Sequence, residues 1–252
     1  MTIDRNTLYI TGAGVSAASG IPTYRTDGGI WVEGSEHYTP QQMATRKMFH
    51  EKPITFLKWV YKQHCLFINA KPNSVHHWLA DKNLITQNVD CLDEKAGNED
   101  YIAIHGKTSK MSLYWSENKL PREALVQKDI PWHQVDEHRL EESLTEIFKI
   151  PSSMTPKKRV SYKPVLLLFD ELYTELFRES RARQRIERAK KVVFLGTSFS
   201  VSFPSYALED AIKNHKEIEI VDPLPLDLDK YEQSFTHHRM TAHEYIEKLS
   251  NR

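Results

Sequence analysis

The sequence predicts an α/β fold, a mostly parallel sheet with helices on both faces and a small inserted lobe. Three observations carry this. Short apolar, β-branched segments recur along the 252 residues with helical patterns between them, the alternation that lays strands side by side beneath crossover helices. One segment, Val165-Leu166-Leu167-Leu168-Phe169, is apolar throughout, as a central strand covered on both faces should be. The stretch 107–162 breaks the alternation, being polar, charged and punctuated by Pro121, Pro131, Pro151 and Pro156.

In chain order, a first strand is expected at 7–11, where Leu8-Tyr9-Ile10 runs into a glycine-bearing turn. The interval 27–39 holds Gly28-Gly29 and Gly34 and few residues able to anchor it in a core, so it reads as a mobile loop. A helix at 53–65 puts Phe56, Trp59 and Val60 on one face, and a second follows at 74–81. Strands are expected at 84–87 and 101–104, then, beyond the lobe, at 165–169, 192–195 and 218–221. Helices at 171–190, 204–214 and 242–249 complete the pattern. The basic residues from Arg178 to Lys191 alternate with Glu179 and Glu187, the mark of a solvated helix face rather than of a nucleic-acid contact. The whole is expected to be a single domain, 1–252, with its core at 1–26, 75–106 and 163–252 and its lobe from the insertions 27–74 and 107–162.

Composition excludes several classes. Lys plus Arg and Asp plus Glu both number 34, so no global field draws the chain to nucleic acid or to an anionic membrane. Met1-Thr2-Ile3-Asp4-Arg5-Asn6 lacks the apolar run of a signal peptide, and no later run has the length to span a bilayer, so the expected address is cytoplasmic. Cys65 and Cys91 are the only cysteines, which rules out a disulfide framework or a thiolate-rich zinc site. The pairs His76-His77 and His237-His238 have no metal-site context, and no metal ligand is assigned.

The first strand opens into Gly12-Ala13-Gly14-Val15-Ser16-Ala17. This fits G-x-G-x-x-G/A, in which glycines allow a tight turn and bring backbone close to a pyrophosphate at a helix N-terminus. The same glycines can equally make a plain strand-to-helix turn. The motif continues as Ser19-Gly20-Ile21-Pro22-Thr23-Tyr24-Arg25, then Gly28-Gly29-Ile30-Trp31. Thr86-Gln87-Asn88-Val89-Asp90 with Ala96-Gly97, Ile104-His105-Gly106, and Gly196-Thr197-Ser198 with Val201 follow in order. Together they resemble the sirtuin signature, G-A-G-x-S-x-x-S-G-I-P-D-F-R followed by G-L-W and its later blocks, over nearly the whole chain.

The resemblance implies a Rossmann-like core and an NAD-dependent protein-lysine deacylase that consumes NAD as co-substrate. Nicotinamide leaves as the acyl oxygen of a modified lysine attacks. His105 then activates a ribose hydroxyl against the resulting imidate, yielding O-acyl-ADP-ribose. Gly12, Ala13 and Gly14 would meet the pyrophosphate, with Gly196, Thr197 and Ser198 closing its other side and Asp222 at the last nucleotide-contacting strand end. Pro22, Tyr24 and Arg25 would form a cofactor loop. Gln87 would contact the nicotinamide ribose, and Asn88 and Asp90 the nicotinamide, an amide and a carboxylate together being able to hold a carboxamide. Asn88 joins His105 as a candidate catalytic residue. Asn88 or Asp90 could instead cap the following helix.

Departures from the signature gather on the substrate side. The four zinc cysteines are absent, so the lobe should rest on packing by Trp115, Trp132, Leu140, Leu144 and Phe148. The F-G-E element is Phe169-Asp170-Glu171, and T-S-x-x-V-x-P gains a residue in Thr197 to Pro204. A Tyr-x-x-Arg pair for acidic acyl groups is missing, Tyr61 with His64 or Val60 with Gln63 standing in its place. The expected partner is an acylated protein or peptide, with no membrane and no direct nucleic-acid contact. NAD glycohydrolysis or ADP-ribosyl transfer on the same site is the alternative.

Overall fold

The computed structural model describes residues 4–23, 38–115, 120–224, 226, 228, 231 and 234–250. Strand β1 (Thr7–Thr11) leads through a 3-10 turn (Ala13–Ser19) towards α1 (Pro40–Met43), α2 (Arg46–Glu51), α3 (Pro53–Ile68) and α4 (Ser74–Leu79). Next come β2 (Leu84–Thr86), α5 (Leu92–Lys95), β3 (Ile102–Ala103), β4 (Gly106–Leu113), β5 (Lys128–Asp129), α6 (Leu140–Phe148) and β6 (Tyr162–Leu166). The chain closes with α7 (Glu179–Arg188), β7 (Lys191–Leu195), α8 (Ser202–Lys213), β8 (Glu217–Val221), β9 (Thr236–His238) and α9 (Ala242–Ser250).

Among the described residues the strands form two sheets. The larger runs β3-β2-β1-β7-β8-β9, with every pairing parallel. Its strands alternate between two apolar layers. Leu8, Ile10, Val192 and Phe194 pack with Ala182 and Ile186 of α7 and Ala207 and Leu208 of α8. Val193, Leu195 and Val221 face the other way, onto Val75 and Leu79 of α4 and Tyr245 and Ile246 of α9. This is a Rossmann-like sheet covered on both sides, as the strand alternation predicts.

The apolar run 165–169 is not part of it. Strand β6 pairs antiparallel with β4, which also pairs with β5, in a separate three-stranded sheet. Apolarity over five residues does not distinguish a central parallel strand from a strand and loop buried against helices. Here Leu166 and Leu168 pack under α3 and α6, and Phe169 lies half exposed. The longest strand, β4, has a polar sequence, and the sequence pattern does not reveal it. Gly106 starts it at φ +90, and a Cβ there would stand 1.9 Å from the Val165 carbonyl oxygen. Only glycine lets the chain cross from the end of β3 onto β6 at that distance.

The smaller sheet, α2, α3 and α6 enclose a second core, with Phe49, Phe56, Leu57, Leu144 and Phe148 sealed from solvent. Trp132 joins it, donating its indole N–H to the Thr108 carbonyl at 2.9 Å, and Leu140 packs at its margin. Trp115 is buried apart from that core, with Lys158 and Arg159 over its ring.

The helix expected at 171–190 is interrupted. Thr174 accepts from the Leu176 amide, a 3-10 turn (Glu175–Phe177) buries Leu176 and Phe177 against Val165, and left-handed Arg178 (φ 59) starts α7 afresh. Nor is the basic face of α7 simply solvated. Arg185 is buried, donating to the Leu84 carbonyl at 3.1 Å and pairing with Asp100 at 2.9 Å, and Arg5 and Arg181 hold the same carboxylate.

Candidate active site

A cleft of about 580 Å³ runs along the carboxyl ends of β3, β2, β1, β7 and β8, the edge at which open α/β sheets bind ligands. Gly12, Ala13, Gly14, Pro22, Gln87, Asn88, Asp90, His105, Gly196, Thr197, Ser198 and Asp222 all line it. Tyr24 and Arg25 lie outside the described residues.

At the centre two glycine turns touch. A Cβ on Gly12 would come within 2.7 Å of the Gly196 carbonyl oxygen, and one on Gly14 within 2.7 Å of Gly196 Cα. The Gly12 and Gly14 amides donate to the Leu195 and Gly196 carbonyls at 3.0 and 2.9 Å. These glycines therefore bring the β1 and β7 turns together first, and their N–H groups serve that junction. The narrow, side-chain-free floor that results fits a dinucleotide pyrophosphate.

Beyond the floor, Gln87 donates its amide to the Thr11 carbonyl at 3.1 Å and to Thr197 Oγ1 at 3.0 Å. Asn88 Nδ2 donates to the Gly12 carbonyl at 3.0 Å and to Ser16 Oγ at 3.1 Å, and Ser16 donates to Asp90 Oδ2 at 2.7 Å. With its amide protons so engaged, Asn88 is left to offer its carbonyl oxygen. Asp90 Oδ1 accepts the Leu92 amide at 2.9 Å, so the carboxylate does support the start of α5 while lining the cleft. Burial pushes the Asp90 carboxyl up, and the Leu92 and Ser16 hydrogen bonds oppose it. Asp93 beside it, also buried, is raised to about 7 by burial and then by the Asp90 charge.

His105 follows β3, its ring between two partners. Nδ1 lies 3.0 Å from the Gln87 carbonyl oxygen and Nε2 3.0 Å from the Tyr173 hydroxyl. A carbonyl only accepts, so Nδ1 carries the proton and Nε2 presents its lone pair. Burial lowers the imidazole to about 4, against the Gln87 carbonyl bond, which acts the other way. A neutral ring with an acceptor nitrogen is the form a general base needs.

Past His105 the cleft turns apolar, with Ala44, Trp59, Phe67, Leu166, Leu168 and Phe169 on its walls. The altered F-D-E element lies here. Asp170 accepts the Arg46 and Lys47 amides at 2.6 and 3.1 Å, capping α2 from a distant segment. Glu171 accepts the buried Lys163 ammonium at 3.0 Å and the Leu168 amide at 3.2 Å. In the lengthened T-S element the chain bends at left-handed Phe199 (φ 56), and Ser198 bonds Ser200 at 2.7 Å.

Sequence reasoning misses two residues. Ser16 is inside the glycine motif, and its hydroxyl ties Asn88 to Asp90. Tyr173 falls in the expected helix 171–190 and reaches His105 only because that helix starts late, at Glu179. No sequence signal marks it.

Paired glycine turns at strand ends, with an amide, a carboxylate and a neutral imidazole along one cleft, define a nucleotide-binding α/β enzyme architecture. The chain belongs to the Sir2 family, whose family model matches residues 12–203. It is 28% identical over 229 residues to the NAD-dependent protein deacylase of Bacteroides thetaiotaomicron, covering 88% of this chain and 87% of that protein. NAD-dependent protein deacylase 1 of Caldanaerobacter subterraneus subsp. tengcongensis is 32% identical over 215 residues, covering 81% of this chain and 78% of that protein. A Sir2 homologue solved in complex with NAD superposes with a TM-score of 0.71 at 26% identity, over 97% of this chain and 88% of that one. Among the described residues no helix is long and apolar enough to cross a membrane.

Proposed function

We propose that this protein is an NAD-dependent protein-lysine deacylase in which His105 is the general base. The reading is supported chiefly by the His105 geometry: a neutral imidazole lining the cleft, oriented by the Gln87 carbonyl so that Nε2 carries the lone pair. Gly12, Ala13 and Gly14 with Gly196, Thr197 and Ser198 would hold the pyrophosphate of NAD, Asp222 the adenosine end, and Pro22 with Tyr24 and Arg25 the covering loop. Gln87 would fix the nicotinamide ribose. Asn88 and Asp90 would orient the nicotinamide carboxamide, Asn88 through its carbonyl oxygen.

When bound, NAD supplies the electrophilic ribose carbon and a leaving nicotinamide. The residues supply orientation, exclusion of water and a proton acceptor at Nε2. An acylated lysine of a protein or peptide would enter along the apolar walls by Trp59, Phe67 and Leu168, where a neutral acyl group is favoured over a carboxylate. We assign the chain one catalytic domain, with its core at 1–26, 75–106 and 163–252 and its lobe at 27–74 and 107–162, acting in the cytoplasm without zinc or a nucleic-acid partner.

Incubation with NAD, with and without an acetylated peptide, tests this. Nicotinamide release that requires the peptide and yields O-acetyl-ADP-ribose is expected. Release at the same rate without peptide would favour NAD glycohydrolysis instead.

A further inference from the structure

The Tyr173 hydroxyl occupies the nitrogen that the reaction needs. Because Nδ1–H is committed to the Gln87 carbonyl, Nε2 has one lone pair, and the Tyr173 O–H donates to it at 3.0 Å. A ribose hydroxyl must either displace that hydroxyl or act through it. On its other side Tyr173 packs against Phe203 at the start of the twelve-residue α8, where the Ser202 side chain and the Phe203 amide face its oxygen closely enough to favour negative charge on it. Its ring lies 5.9 Å from that of Phe203 and 6.0 Å from that of His105, and Tyr173 lines the same cleft.

We propose that Tyr173 is a catalytic proton relay between the ribose hydroxyl of the cofactor and His105, an inference that rests on His105 being the base. The ribose hydroxyl passes its proton to the Tyr173 oxygen as Tyr173 passes its own to Nε2. The ribose oxygen keeps the electron pair of its broken O–H bond and forms the new bond to the acyl-derived carbon, whose C=N π pair moves onto the lysine nitrogen. Tyr173 ends neutral and His105 ends as imidazolium, so protons and charge balance without another reactant. Charge that develops on the phenol oxygen in transit meets a helix N-terminus, where N–H groups and the helix dipole favour it. Burial raises the phenol above its ordinary value, the Ser202 and Phe203 bonds acting the other way, so Tyr173 enters the step as a donor.

The test is single-turnover formation of O-acetyl-ADP-ribose from NAD and an acetylated peptide, in mixtures of light and heavy water. Two protons in flight give the wild type a bowed rate against deuterium fraction. In Tyr173→Phe the rate should fall by about 10²-fold and the dependence become linear, while exchange of labelled nicotinamide into NAD, which precedes the relay, persists. A linear wild-type inventory would overturn the relay and needs no variant. So would a Tyr173→Phe enzyme as fast as the wild type or faster. A His105→Ala enzyme that still forms product at the wild-type rate would remove the base assignment itself, a failure distinct from that of Tyr173.

Discussion

His105 holds a proton on one nitrogen and a lone pair on the other because its neighbours leave no alternative: a carbonyl faces Nδ1 and a hydroxyl faces Nε2. Burial takes it to about 4, so the acid limb of kcat/KM should lie near that value rather than near the 6.5 of an ordinary imidazole. Activity should hold from neutrality down to about pH 5, measured over times short enough to precede acid unfolding. His105→Ala should reduce product formation by 10²-fold or more while leaving the NAD dissociation constant within about threefold. Gly196, at φ +57, has Gly14 Cα 2.8 Å from where a Cβ would stand. Gly196→Ala should cost about 1–3 kcal/mol of stability and weaken NAD binding, read by denaturant melts and calorimetry. Asp93 is protonated in the folded chain up to about pH 7 and in the unfolded chain only to about 3.8. Its contribution is therefore favourable at low pH and is lost as pH rises through 7. Asp93→Asn should remove that dependence, so that the variant gains on the wild type between pH 5.5 and 8.5.

At the scale of elements, the departures on the substrate side have structural work of their own. Asp170 stands where the family signature has glycine, and it caps α2 through two amides. Asp170→Gly should cost roughly 1 kcal/mol, seen as a lower Tm, despite restoring the signature. The 107–162 part of the lobe has no cysteine and rests on Phe148, Leu144 and Trp132 with α3. Phe148→Ala should cost about 3–5 kcal/mol, whereas a chelator should leave the melting curve where it is. The apolar run at 165–169 shows why that lobe is poorly legible in sequence. Its hydrophobicity is real, but burial under α3 and α6 and burial within a parallel sheet ask for the same residues. Strand β4 is invisible for the converse reason: Lys107, Ser109 and Lys110 show no apolar alternation, and the strand is made by pairing with β5 and β6.

Across the whole molecule, His64, His76 and His105 all sit at about 4, burial being the first cause in each. Between pH 6.5 and 4 the unfolded chain binds three protons on these rings that the folded chain does not. Asp93 and Asp90, both raised, return at most two, so stability should fall as pH drops through that window. His76, wholly buried, contributes on the order of 3 kcal/mol to this loss. Urea melts at pH 7.5 and 5 would read it, and a higher midpoint at pH 5 would contradict it. The sequence by itself determined the parallel sheet and the glycine turns, because β-branched alternation and glycine spacing are local and directional signals, and its resemblance to the sirtuin signature singled out His105, Asn88 and Asp90. Only the tertiary structure decided that Gly12 and Gly14 spend their amides on the β7 turn, that the run at 165–169 leaves the main sheet, and that Tyr173 meets His105. Those contacts join segments up to 183 residues apart or depend on a break in an expected helix, and backbone close approach leaves no periodicity in the chain.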